Sequence, residues 1–144
     1  MTVKQISVFI ENKIGGLDDI TASLANAGIN IRALSIAETS DFGILRLIVD
    51  DVFKAGNVLK EAGHVYSLTD VVAVAGEDKP GSIAKIVSVL AKEGISLEYA
   101  YAFFTRNRDY AYMIIRVEDN DAAIKILRNN NIPVIGDEDL AKMW

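Results

Sequence analysis

With 144 residues, a net charge of −5 and a pI near 4.8, the chain lacks the basic footprint that nucleic-acid phosphates require. It has no cysteine, which excludes disulfides and thiolate chemistry. No apolar run approaches the roughly 20 residues of a membrane-spanning helix, and Met1-Thr2-Val3-Lys4-Gln5 lacks the basic and apolar regions of a signal peptide, so a cytoplasmic protein without membrane partners is expected.

In chain order, residues 6–10 read as an apolar strand and residues 12–16 as a turn. Leu17, Ile20, Leu24 and Ala27 then recur at helical spacing up to Gly28, a helix stop. Residues 29–36 are rich in branched side chains and predict a second strand. Ser40-Asp41-Phe42-Gly43 is turn chemistry, and residues 44–49 predict a third strand. Asp50 or Asp51 caps the next helix, which faces Ala55, Val58, Leu59 and Ala62 inward and ends at Gly63. Residues 65–68 close the first set of elements.

The chain then repeats itself. Glu11-Asn12-Lys13-Ile14-Gly15-Gly16-Leu17 returns 66 positions later as Glu77-Asp78-Lys79-Pro80-Gly81-Ser82-Ile83, and Gly28-Ile29 as Gly94-Ile95. Residues 43–51 match 111–119 at an offset of 68. The second set predicts strand 71–75, helix 82–93, strand 95–104, loop 105–109, strand 111–117, helix 121–129 and strand 132–135, with a helical turn over 137–144. The order βαββαβ, twice, predicts an α+β fold. It consists of two ferredoxin-like domains in tandem, 1–68 and 69–144, each a four-stranded antiparallel sheet with two helices on one face. Units of about 70 residues bury thin cores, and the boundary near Thr69 has no linker. The two copies are therefore expected to dock as one rigid unit, with ligand sites between them. The third strands, Ile44-Leu45-Arg46-Leu47-Ile48-Val49 and Met113-Ile114-Ile115-Arg116-Val117, are apolar at nearly every position. A sheet wet on one face should alternate, so cover of the open face and a homodimer are expected.

These residues resemble the ACT domain, an amino-acid-sensing module of this topology. The resemblance rests on Glu11-Asn12-Lys13-Ile14-Gly15-Gly16-Leu17, on Ala27-Gly28-Ile29-Asn30-Ile31, and on the echoes Lys79-Pro80-Gly81 and Glu93-Gly94-Ile95-Ser96-Leu97. It implies a stand-alone, non-catalytic, allosteric regulatory protein that binds a free amino acid without a cofactor or metal. In the phosphoglycerate dehydrogenase regulatory domains that the chain resembles, two asparagines hold the effector, and they correspond to Asn12 and Asn30; a third ligand, a histidine, is replaced by Ile10. The implied main site comprises Asn12, Ile14, Gly15, Gly16, Leu17 and Asn30, closed by Tyr99, Ala100 and Tyr101 of the other copy. A weaker second site comprises Asp78, Gly81, Ser82, Ile83 and Ser96 with Leu34 and Ser35; Gly76 stands where Ile10 does. Elementary chemistry agrees, since a helix start offers unpaired N–H groups to a carboxylate and glycines permit close approach.

Other candidates have plainer roles. His64, the one histidine, is expected to cap helix carbonyls. Arg106 and Arg108 are expected to be solvated, and Asp137-Glu138-Asp139 to cap the last helix rather than bind metal. Tyr99, Tyr101 and Phe103 alternate and so share a strand face. An acylphosphatase would need an arginine in the first loop, where only Lys13 and Lys79 occur. An RNA-binding module would need aromatic and basic residues on its third strand. A ligand-independent regulatory subunit of a partner enzyme of amino-acid biosynthesis, such as acetolactate synthase, remains the alternative.

Overall fold

The computed structural model describes all residues except Thr39, Phe104, Asn107 and Trp144. The last residue expected in the strand 95–104, one residue of the loop 105–109 and the end of the tail thus lie outside the described residues. The chain forms two compact units, one of Lys4–Thr69 and one of Met1–Val3 with Asp70–Trp144; they are called the first and second unit below.

In the first unit the order is β1 (Val3–Glu11), α1 (Gly16–Asn26), β2 (Ile31–Glu38), β3 (Phe42–Val49) and α2 (Val52–Glu61), followed by the start of β4 (Tyr66–Glu77). β3 pairs antiparallel with both β1 and β2, in registers that join Val8 to Leu45 and Leu34 to Leu47. On the other side of β1, the Phe9 N–H donates to the Val65 carbonyl at 3.0 Å. The helices cover one sheet face, where Ile6, Val8, Ile20, Leu24, Leu45 and Leu59 form the core. Leu24 and Leu59 sit on the inward stripes that the spacing predicts. Ala62 does not: it is exposed beyond the helix end, where its N–H still donates to the Val58 carbonyl. Of the two cap candidates, Asp51 caps α2 by accepting from the Lys54 N–H at 3.0 Å. Asp50 instead accepts from the Asn30 N–H.

The second unit continues from β4 through α3 (Ser82–Lys92), β5 (Leu97–Phe103), β6 (Tyr110–Val117), α4 (Asn120–Asn129), β7 (Val134–Ile135) and α5 (Asp137–Met143). β6 pairs with β4 and β5, and β7 pairs with β4, all antiparallel. Val72, Val74, Leu90, Ile115, Val117 and Leu127 fill its helix-side core. β7 is shorter than the expected 132–135 because Pro133 has no N–H to donate; its carbonyl still accepts from the Ala75 N–H at 3.0 Å. β2 and β5 each begin two residues late. Gly28 and Gly94 take left-handed φ values of 72° and 74°, and the N–H groups of Ile29 and Ile95 turn back to the carbonyls of Leu24 and Leu90 at 3.0 Å. Those residues finish a helix rather than start a strand.

The third strands are apolar because both faces are covered. On β3, Leu45 and Leu47 face the helices while Ile48 is 1% exposed on the other face. On β6, Ile114 opposite the helices is likewise buried. Leu140 of α5 is 2% exposed, and α5 residues Asp139, Lys142 and Met143 border a hollow with Tyr112. The third strands as such therefore leave little apolar surface for a second molecule.

Candidate functional site

Each unit opens its first helix the same way. Gly15 and Gly81 occupy the N-cap positions at φ 89° and 92°, and neither cap has a side-chain hydrogen bond. An L side chain is strained at such φ values, so glycine is needed. Glu11 pairs with Lys13 at 3.3 Å, and Glu77 pairs with Lys79 in the same place. The Lys13 and Lys79 N–H groups fold back to the Glu11 and Glu77 carbonyls at 2.8 Å. The Lys79 hydrogen bond and charge hold the Glu77 carboxyl below its ordinary range, with a smaller contribution from Lys85.

The loop residues are braced from the neighbouring hairpin. The Asn12 N–H donates to the Asp41 carbonyl at 3.1 Å, and its side-chain amide donates to the Ser40 carbonyl at 3.2 Å. That leaves its Oδ1 as an acceptor. Asp78 donates its N–H to the Asp109 carbonyl at 3.1 Å. Asn30 lies elsewhere. Its N–H donates to Asp50 Oδ1 at 3.0 Å and its carbonyl accepts from the Asp50 N–H. Asn12 is thus at the Phe42 end of β3 and Asn30 at the Val49 end. Eight residues of strand at about 3.3 Å each put roughly 25 Å between those ends. Within one unit no amino acid spans both asparagines, so Asn12 and Asn30 of the same unit do not together hold the polar ends of one ligand as expected. Asp78 and Ser96 are separated in the same way along β6, whose ends pair with Glu77 and with Leu97.

Other expected site residues distribute as follows. Ile14 projects fully into solvent, Leu17 is 37% and Ile83 55% exposed. Asn12 and Leu17 meet Ile36 and Gly43 around a small hollow of about 160 Å³. Tyr99 and Tyr101 stack on one face of β5 with centroids 6.4 Å apart, and Phe103 meets Tyr112 on the same face at 5.2 Å. Ala100 is exposed on the opposite face, as Leu34 is on β2, and Ser35 is half-buried. His64 donates its backbone N–H to the Leu59 carbonyl at 2.9 Å. Asp139 accepts from the Gly136 N–H at 3.3 Å at the start of α5. Arg106 borders the hollow beside Tyr112, and Arg108 is exposed.

Larger clefts lie beside the helix openings, between the end of the first strand and the turn into the last. The first unit's cleft, about 390 Å³, is lined by Phe9, Ile10, Gly16, Asp19, Phe42 and His64 among others. The second unit's cleft, about 420 Å³, includes Ala75, Gly76, Ser82, Lys85, Tyr110 and Ile132. At the repeat offsets of 66 and 68 those are the same six positions. Gly16 and Ser82 are among the expected site residues, whereas Phe9, Asp19 and Phe42 with their counterparts Ala75, Lys85 and Tyr110 are not. The signal was present in the repeat, which aligns His64 with Ile132 and Asp19 with Lys85.

Two βαββαβ units with duplicated glycine-opened helices define the class. The chain belongs to the ACT domain pair family, which it matches over residues 1–144. It is similar to protein BT0572 from Bacteroides thetaiotaomicron, at 41% identity over 99% of this chain and 97% of that one, with a TM-score of 0.91. It shares its fold with the ligand-free regulatory subunit of aspartate kinase from Thermus thermophilus, at 19% identity over 88% and 90% of the two chains and a TM-score of 0.65. The corresponding subunit from Thermus flavus gives 20%, 88% and 90%, and 0.57. No curated protein sequence matches the chain. Among the described residues no helix is long and apolar enough to cross a membrane.

Proposed function

We propose that the chain is a non-catalytic regulatory protein that binds a free amino acid beside its helix-opening loops. The observation that carries this reading is the duplicated helix start. Gly15 and Gly81 each present a first helical turn with no side-chain cap, next to a cleft of amino-acid size. N–H groups of a first turn lack intrahelical partners and suit a carboxylate. The fold shared with subunits named as regulatory supports the same reading. The exposed apolar residues Leu34 and Ile36 on β2 fit self-association through that strand rather than through the third strands.

Thermal unfolding in the presence of each of the twenty amino acids tests the reading. A ligand that binds only the folded state at 100 times its Kd stabilises by about 2.7 kcal/mol, which raises Tm by several degrees. If none of the twenty moves Tm, the ligand-independent regulatory subunit replaces this reading.

A further inference from the structure

The two clefts occupy equivalent places but carry different chemistry. In each, the glutamate and lysine of the loop pair with one another. What remains in the first unit is the Asp19 carboxylate, reinforced by Asp18 in the same helical turn. What remains in the second unit is the Lys85 ammonium, on a helix whose first turn has no acid. Among the described residues Lys85 makes no ion pair, although its charge also acts, more weakly than that of Lys79, on the Glu77 carboxylate.

Most of the other replacements run the same way; His64, replaced by Ile132, runs against them. Phe9 and Phe42 put two phenyl rings, 6.4 Å apart, at the rim of the first cleft. Their counterparts are Ala75 and Tyr110, so one ring is lost and the other gains a hydroxyl. Gly76 removes the side chain that Ile10 brings. Gly63, at φ 83°, is replaced by Asn131, which holds φ 57° and adds a side-chain amide at the cleft. The second cleft thus gains an ammonium, a phenol, an amide and the Ile132 side chain, and loses an acid, an imidazole and two bulky apolar groups. The ammonium, phenol and amide all carry hydrogen-bond donors and line the same cleft.

We infer that the second unit's cleft, between Gly76, Lys85, Tyr110 and Asn131, is a carboxylate-selective site for small acidic molecules, and that the first unit's cleft rejects them. The inference rests on the preceding reading for the class of ligand, a small carboxylic acid. It reverses the ranking implied by the loop asparagines, which favours the first unit.

Amide chemical shifts of the full chain are followed during titration with glutamate, glutamine, lysine and succinate. Glutamate and succinate shift Gly76, Gly81, Lys85 and Asn131, glutamate binds about tenfold tighter than glutamine, and lysine leaves these amides in place. Lys85→Gln removes the preference for glutamate over glutamine. Asn131→Gly restores the residue type that the first unit uses at that turn, keeps the fold, and weakens succinate several-fold. Succinate acting on the second cleft while no amino acid binds anywhere would sustain the inference and sink the amino-acid reading. Amino-acid binding that leaves the second cleft untouched, or that treats glutamate and glutamine there alike, sinks the inference alone. An absence of shifts with all four compounds overturns the inference.

Discussion

In the first unit Gly15, Gly28 and the buried Leu24 set the course of α1; in the second, Gly81, Gly94 and the buried Leu90 do so for α3. Their φ values differ by only a few degrees, from 89° to 92° and from 72° to 74°, and both helices have eleven residues. The cleft beside each helix has no such agreement. Phenyl rings face an alanine and a phenol, an aspartate faces a lysine, and a histidine faces an isoleucine. Duplication has kept what the backbone needs and varied what a ligand would meet. A position fixed by φ or by core volume has few alternatives, whereas an exposed lining residue costs little to exchange.

Three measurements bear on this contrast. The largest effect is expected in the cores. Leu24→Ala and Leu90→Ala, both at fully buried positions, should each destabilise by about 2–5 kcal/mol in urea unfolding. A near-neutral result at one of them would break the structural equivalence of the units. Next come Gly15→Ala and Gly81→Ala. A Cβ at either site meets nothing within 4 Å, so only the left-handed backbone resists it, at about 1–2 kcal/mol in both units. A much larger loss at one loop would mean that its glycine also serves a close approach. The smallest effect concerns Glu77. Its carboxyl should titrate below the ordinary glutamate range in a carbon-detected pH series, and Lys79→Ala should raise its midpoint. Because the folded value is depressed, this group's contribution to stability is present above the unfolded pKa and is lost as pH falls through the folded one. A midpoint that ignores Lys79→Ala contradicts the ion pair.

Much of the fold is legible in the sequence because hydrophobic period and glycine placement act locally. Ile20 and Leu24 mark a face, and Gly28 ends a helix, without reference to anything distant. The first residues after each helix were not legible as turn, since Ile29 and Ile95 carry strand-like side chains and only the glycine before them bends the chain back. Nor was the separation of Asn12 from Asn30. The two stand 18 positions apart in sequence, and only the antiparallel course of β2 along β3 sends them to opposite ends. The clefts escaped for a related reason, since each draws residues from three separate segments that meet only once the sheet is formed.

The strand β4 runs as one twelve-residue element across the seam between the repeats. Its Val72 and Val74 pack in the helix-side core, while Ala73 and Ala75 point to the other face and are buried as well. Side chains alternate with a period of two. One codon inserted at the seam would therefore bring Ala73 to the place where Val74 fills the core and turn Val72 and Val74 to the other face. The length of the seam is thereby restricted by parity: a change of two residues keeps each side chain on its face, and a change of one does not.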